Sequence, residues 1–233
     1  RAYETVEKYV DSGGNLAVLS ANSVFWRVSV NEDYTVMECR KYPKGMLGSK
    51  MTQVGHLYHS HDKKRGGLMR FCGYPAWKLI GLETAGWCKG MKFGHYQMEQ
   101  PEHFLFNTPN KINLKKGDAF GFVTDTLGCV GHEYDVRLPV LLQASKNPPE
   151  LIEPDGIISL ARCYSDNKII DYNANKNAER VNPSRIISEI IYWQKKSGGR
   201  VFNIGSVAAP WGVYKDKNLG MLMKNVLFHF GAK

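Results

Sequence analysis

The first nineteen residues constrain the fold more than any other stretch. Ala2 to Asp11 carry Val6, Tyr9 and Val10 at helical spacing, with Glu4, Glu7, Lys8 and Asp11 on the other faces. Ser12-Gly13-Gly14 ends that helix, because glycine enters the left-handed cap without a Cβ penalty. Leu16-Ala17-Val18-Leu19 is a continuous apolar run, which predicts a strand covered on both faces. The polar turn Ser20-Ala21-Asn22-Ser23 follows it. Helix, paired glycines, buried strand and turn make one unit of an α/β domain with a mainly parallel sheet and flanking helices. In such a sheet the loop after the strand's carboxyl end lies on the functional edge.

The remaining sequence extends this into a single α/β domain over residues 1–233, elaborated by long loops and β-hairpins. Further strands are expected at Val36 to Cys39, Lys78 to Ile80, Phe104 to Phe106, Val140 to Leu142 and Ile157 to Ala161. Residues 186–193 and the run Val201 to Ile204 flank Ser197-Gly198-Gly199, which predicts a hairpin. Leu219, Leu222, Met223, Val226, Leu227 and Phe230 recur at the spacing of an amphipathic closing helix. From Lys41 to Gly73 the chain is rich in glycine and polar residues and reads as an ordered excursion. The sequence opens on Arg1-Ala2-Tyr3-Glu4 without Met or a signal pattern, so a fragment of a longer chain is expected, lacking the first part of the domain.

Charge and cysteine usage narrow the functional classes. The net charge of +9 comes from lysines scattered among turns, not gathered into a stripe interleaved with aromatics. Solubility or an acidic partner surface accounts for it better than nucleic acid does. No apolar run is long enough to span a membrane. Cys39, Cys72, Cys88, Cys129 and Cys163 contain no C-x-x-C pair. Reduced, partly buried thiols in a cytoplasmic protein are the expectation.

Two stretches carry candidate chemistry. Leu127-Gly128-Cys129-Val130-Gly131-His132-Glu133-Tyr134-Asp135 sets a thiol, an imidazole and two carboxylates beside two glycines that let the chain bend. An ordinary polar loop is the alternative reading. Cys129 as a nucleophile lacks the elbow's first glycine, since Leu127 stands there. His56-Leu57-Tyr58-His59-Ser60-His61-Asp62 resembles a metal-binding run, with His59 and His61 on one face of a strand. Solvated surface histidines are the competing reading. No G-x-G-x-x-G or phosphate loop is present, so nucleotide binding has no support. Trp26, Trp77, Trp87 and Trp211 suggest a glycan-facing role only if they leave the core.

Four ordered segments resemble the large (β) subunit of N,N-dimethylformamidase and its relatives. They are Tyr9 to Leu16 running into Asn22-Ser23-Val24-Phe25-Trp26-Arg27; Tyr58-His59-Ser60 with Gly66-Gly67-Leu68, Arg70 and Tyr74-Pro75; Gly131 to Asp135; and Gly198 to Ser206 with Trp211-Gly212 and Asn225-Val226-Leu227. The resemblance implies a class I glutamine-amidotransferase-like fold without its cysteine triad. It also implies a hydrolase of C–N bonds in small amides, built on a mononuclear iron held by two tyrosines and a glutamate. Carried over by motif, the metal ligands are Tyr58 and Glu133. The second tyrosine position reads Phe25, which has no donor, so either His59 or His61 substitutes or the site is not catalytic. His59, His132 or Asp135 would act as general base beside Glu133. The alternative is a non-catalytic homologue serving as a binding or assembly subunit. Both readings expect an oligomer or a subunit of a larger complex, with no nucleic acid and no membrane.

Overall fold

The computed structural model describes residues 2–41, 54–88, 90, 92–173 and 179–231. In chain order the elements are α1 (Ala2–Asp11), β1 (Asn15–Val18), β2 (Trp26–Val30), β3 (Met37–Cys39), β4 (Gly67–Leu68), α2 (Ala76–Ile80), β5 (Glu83–Trp87), β6 (Tyr96–Met98), β7 (Ala119–Phe120) and β8 (Glu133–Val136). They continue with α3 (Leu138–Ala144), β9 (Ile157–Tyr164), β10 (Ile169–Ile170), β11 (Glu179–Arg180), β12 (Ile186–Gln194), β13 (Arg200–Asn203), α4 (Ala209–Lys215) and α5 (Lys217–His229). Residues 23–76 form one compact unit, and residues 1–22 with 77–233 form another. Among the described residues no helix is long and apolar enough to cross a membrane.

The larger unit is mixed α/β around a six-stranded sheet ordered β1-β13-β12-β9-β6-β7. Only the β1–β13 pair in it is parallel, from Asn15↔Arg200 to Val18↔Asn203, and the other four pairings are antiparallel. The expectation of a mainly parallel sheet is therefore corrected. A parallel neighbour needs a crossover of about a dozen residues or more, whereas β12 returns directly into β13 through residues 195–199. Three expected strands also fail. Lys78 to Ile80 lie in α2, Val140 to Leu142 in α3, and Phe104 to Phe106 in a 3₁₀ turn. Short apolar runs do not distinguish a strand from one buried helical turn. Pro75 ahead of α2 and Pro139 in the first turn of α3 favour the helical outcome.

The opening unit forms much as its residues dictate. Gly13 takes φ +98° at the end of α1, and Gly13 and Gly14 donate to the Val10 and Tyr9 carbonyls. β1 is half-buried along its length, not sealed on both faces, and among the described residues β13 is its one partner in the sheet. Val10 packs with Leu82, Ile157, Ile191, Trp193 and Val201 in a small cluster. The main core gathers Tyr96, Phe106, Phe120, Tyr134, Leu160 and Phe202, all buried. α5 buries Leu219, Leu222, Met223 and Val226 as its spacing predicts, while Leu227 stays outside. The Asp216 carboxylate caps that helix by accepting from Leu219 N at 2.9 Å.

The smaller unit holds a three-stranded antiparallel sheet ordered β3-β2-β4. Of the loop-rich excursion, residues 42–53 lie outside the described residues. The part that follows is a tight reversal, not the expected strand. Tyr58 bridges to Arg65, His59 N donates to the Lys64 carbonyl, and Lys63 N donates to the His59 carbonyl. His59 points inward and His61 outward, so the two do not share a face.

Candidate functional site

The segment 128–135 is held from three sides. β8 pairs antiparallel with β5, setting Thr84 opposite Asp135 and Trp87 opposite Glu133. On its other side Asp135 N donates to the Gly205 carbonyl at 2.9 Å and Val207 N donates to the Glu133 carbonyl at 3.1 Å. The buried Ser206 hydroxyl accepts from Gly131 N at 3.0 Å, which pins the turn entering the strand. Val130 and Gly94 exchange both backbone bonds at 2.9 Å.

The two glycines here make room; they do not supply the bend. Neither Gly128 nor Gly131 has positive φ, and the left-handed residue is His132 at φ +59°. A Cβ on Gly128 would stand 1.7 Å from the Gly94 carbonyl oxygen, and one on Gly131 would stand 2.0 Å from the Phe93 ring. His132 itself is exposed, its ring edge-on to Phe93 at 4.8 Å and to Trp211 at 5.7 Å. Its backbone N donates to Cys88 Sγ at 3.2 Å.

Glu133 and Asp135 converge on Asn22, the residue after the β1 turn. The Asn22 side-chain amide donates to Glu133 Oε2 at 2.6 Å, and its backbone N–H donates to Asp135 Oδ1 at 2.9 Å. Asn22 sits at φ +54°, a conformation asparagine tolerates better than most side chains. One residue thus clamps two carboxylates through two different groups. Glu133 is half-buried, whereas Asp135 and Glu83 are sealed from solvent.

Burial pushes the Asp135 carboxyl up to about 8, with the Glu83 and Glu133 charges adding to it. The Asn22 N–H opposes that rise. Asp135 Oδ2, Thr84 Oγ1 and Asn22 Oδ1 are buried without a hydrogen-bond partner among the described residues. A proton on Oδ2 adds a donor to this acceptor-rich group, in keeping with a neutral carboxyl at pH 7. Because the folded value exceeds the unfolded one, Asp135 favours the fold most at low pH. That contribution is lost as pH rises from about 4 to about 8. Chemical denaturation from pH 4 to pH 9 is expected to show a fall on the order of a few kcal/mol. Asp135→Asn should flatten the fall and keep the Asn22 anchor, since its amide oxygen still accepts. An unchanged slope in that variant would remove Asp135 as the cause.

Cys129 is not a nucleophile in this fold. It is fully buried, and burial, with Asp216 adding, raises its thiol well above the ordinary value, so the reactive thiolate is absent near neutral pH. Its sulfur instead fills the space left by Gly121 and Gly212, where a Cβ would stand 2.9 and 2.6 Å away.

The remaining sequence candidates belong to the 23–76 unit. Tyr58 is exposed. His59 is buried, its Nδ1 2.7 Å from Ser29 Oγ, and Gly66 leaves room for its Nε2, which a Cβ would approach to 2.3 Å. Burial lowers the His59 imidazole, with the Arg27 guanidinium assisting. The other ring nitrogen, His59 Nε2, is buried without a hydrogen-bond partner among the described residues. Phe25 is a buried ring edge-on to Trp26 at 4.9 Å and offers no donor. Among the described residues no group of three or more His, Cys, Asp and Glu side chains is arranged to hold a metal.

Structure thus joins Glu133 and Asp135 with Asn22, Glu83 and Thr84, and the last three were not among the expected site residues. Asn22 reads in sequence as turn chemistry. Glu83-Thr84 between Leu82 and Ala85 is a polar pair inside an apolar run, a signal that points to buried polar function. A family model described as N,N-dimethylformamidase beta subunit-like, C-terminal, matches residues 1–218. No curated protein matches the chain.

Proposed function

We propose that this chain, which belongs to the N,N-dimethylformamidase beta subunit-like family, hydrolyses C–N bonds in small amides with Glu133 at its chemical centre. The observation that carries the reading is the clamp: a half-buried carboxylate fixed by Asn22 beside a sealed acid. A neighbouring amide that fixes the rotamer of a carboxylate orients it for a ligand or a proton.

The family resemblance brings an iron with it, and the donors here meet that only in part. Glu133 supplies the hard carboxylate oxygen, and Tyr58 supplies a phenol in its own unit. Phe25 supplies nothing at the second tyrosine position. A two-tyrosine set is therefore incomplete in this chain, and the steps assigned below involve protein groups alone. In hydrolysis, water oxygen adds to the amide carbonyl carbon, the C–N bond breaks, and the amine leaves with a proton. His132, exposed beside Glu133, takes the proton from water and returns it to the amine. Asn22 fixes the Glu133 rotamer, and neutral Asp135 fixes Asn22. The phrase beta subunit in the family description supports a place in a larger assembly.

The test is amine release from N,N-dimethylformamide by the purified protein, with and without added iron, alongside elemental analysis. Amine release is the expected result, and its dependence on bound metal would show whether other donors complete the set. Folded protein that releases no amine under either condition would sink the hydrolase reading. The non-catalytic binding subunit, which Phe25 favours, would then stand.

A further inference from the structure

The β2–β3 hairpin wears its alternation inside out. Its register pairs Val28 with Cys39, Ser29 with Glu38 and Val30 with Met37. Val28, Val30, Met37 and Cys39 therefore share one face, and Ser29 and Glu38 share the other. An antiparallel sheet with one wet side normally turns the apolar face inward. Here the inward face is polar: Ser29 Oγ meets His59 Nδ1 at 2.7 Å, and Glu38 Oε2 accepts from Ser60 N and Oγ at 2.7 and 2.8 Å. The apolar face is in solvent, with Val28 44%, Val30 42% and Met37 67% exposed, and Val36 beside them at 52%.

We propose that this face is an interface on which a second copy of the chain packs, face to face and antiparallel about a twofold axis. Charge selects the occupant. Exposed Glu32 and Asp33 stand at the hairpin tip, and exposed Lys41 stands at its open end. An antiparallel twofold sets the acidic tip of each copy over the basic end of the other, twice, and leaves the uncharged rungs between them. Such a self-complementary patch is what an isologous dimer requires. The patch carries no charge of its own, so two chains of net charge +9 meet there with least repulsion. The hairpin is also preorganised. Asn31 N donates to the Val36 carbonyl at 3.1 Å, and Val36 N donates to Asn31 Oδ1 at 2.8 Å, so little order is lost on docking. Unsatisfied apolar surface of this kind marks interaction sites on folded proteins. The inference is independent of the proposed hydrolase activity.

Sedimentation equilibrium of the purified protein is expected to show a dimer. Met37→Lys should return a monomer with an unchanged melting transition. Glu32→Lys and Lys41→Glu should each weaken self-association about tenfold at low salt, by setting like charges together at both ends. Mixing those two variants should restore a dimer, because each tip then faces an opposite charge on the other chain. A monomer at every concentration, a dimer indifferent to Met37→Lys, or no recovery on mixing would each overturn the proposal. Binding of a different protein through this face by a monomeric chain overturns the second copy as occupant.

Discussion

Glu133→Gln is expected to lower amide hydrolysis by roughly 10³-fold while leaving the melting transition in place. The substitution keeps the shape of the side chain and removes only its charge. The Asn22 amide can still reach the glutamine oxygen, so β8 keeps its pairing with β5 and its bonds to 205–207. What goes is the anionic oxygen that a metal, or a developing positive charge, requires. Asn22→Ala probes the same site one layer out, with an expected loss of about 10–100-fold, the range for groups that orient a ligand. The two variants together separate roles. If the carboxylate acts as placed, combining them adds little beyond Glu133→Gln alone, because Asn22 works through Glu133. Turnover by Glu133→Gln equal to the parent protein would end its assignment as the chemical centre.

The second large effect is on stability. Gly128→Ala is expected to destabilise the fold by about 3 kcal/mol or more. At about 2–4 °C per kcal/mol for a chain of this size, the melting midpoint should fall by roughly 6–12 °C. The new methyl would meet the Gly94 carbonyl oxygen at 1.7 Å, with the Gly94 carbon at 2.2 Å and His95 N at 2.6 Å. All three are backbone atoms of a segment bonded to Val130, so nothing can swing aside cheaply. Gly131→Ala provides the comparison, since the Phe93 ring that it meets at 2.0 Å is a side chain able to rotate. Its cost should be smaller, and it should show instead in the setting of His132, whose ring packs on Phe93. A Gly128→Ala variant as stable as the parent would mean that the 94–95 and 128–130 segments are not in close contact.

Much of the architecture was legible where a pattern outlasts its context. α1, its glycine stop and α5 follow from helical spacing and cap chemistry, and both are local. The hairpin over 186–204 follows from β-branched runs around Ser197-Gly198-Gly199. Strand partners were not legible. β1 pairs parallel to β13 across more than 180 residues, and its apolar run alone says nothing of which strands lie beside it. The same ambiguity turned three expected strands into helical turns, because a short apolar run suits either a buried strand or one buried helical face.

The site divides along the same line. Composition and motif order brought out Glu133 and its neighbours, because a carboxylate among glycines beside a buried strand is visible as a string. That Asp135 is sealed with its carboxyl pushed up, that Cys129 is filler, and that His59 bonds to Ser29 depend on burial and on partners far along the chain. Sequence by itself determined which segments repeat a helical or extended period and where acids and imidazoles cluster. Tertiary structure alone decided which of those groups meet water, which meet one another, and that Asn22 holds two of them. The reason is physical: periodicity is set by bonded neighbours, whereas solvation and electrostatics are set by atoms that only folding brings near.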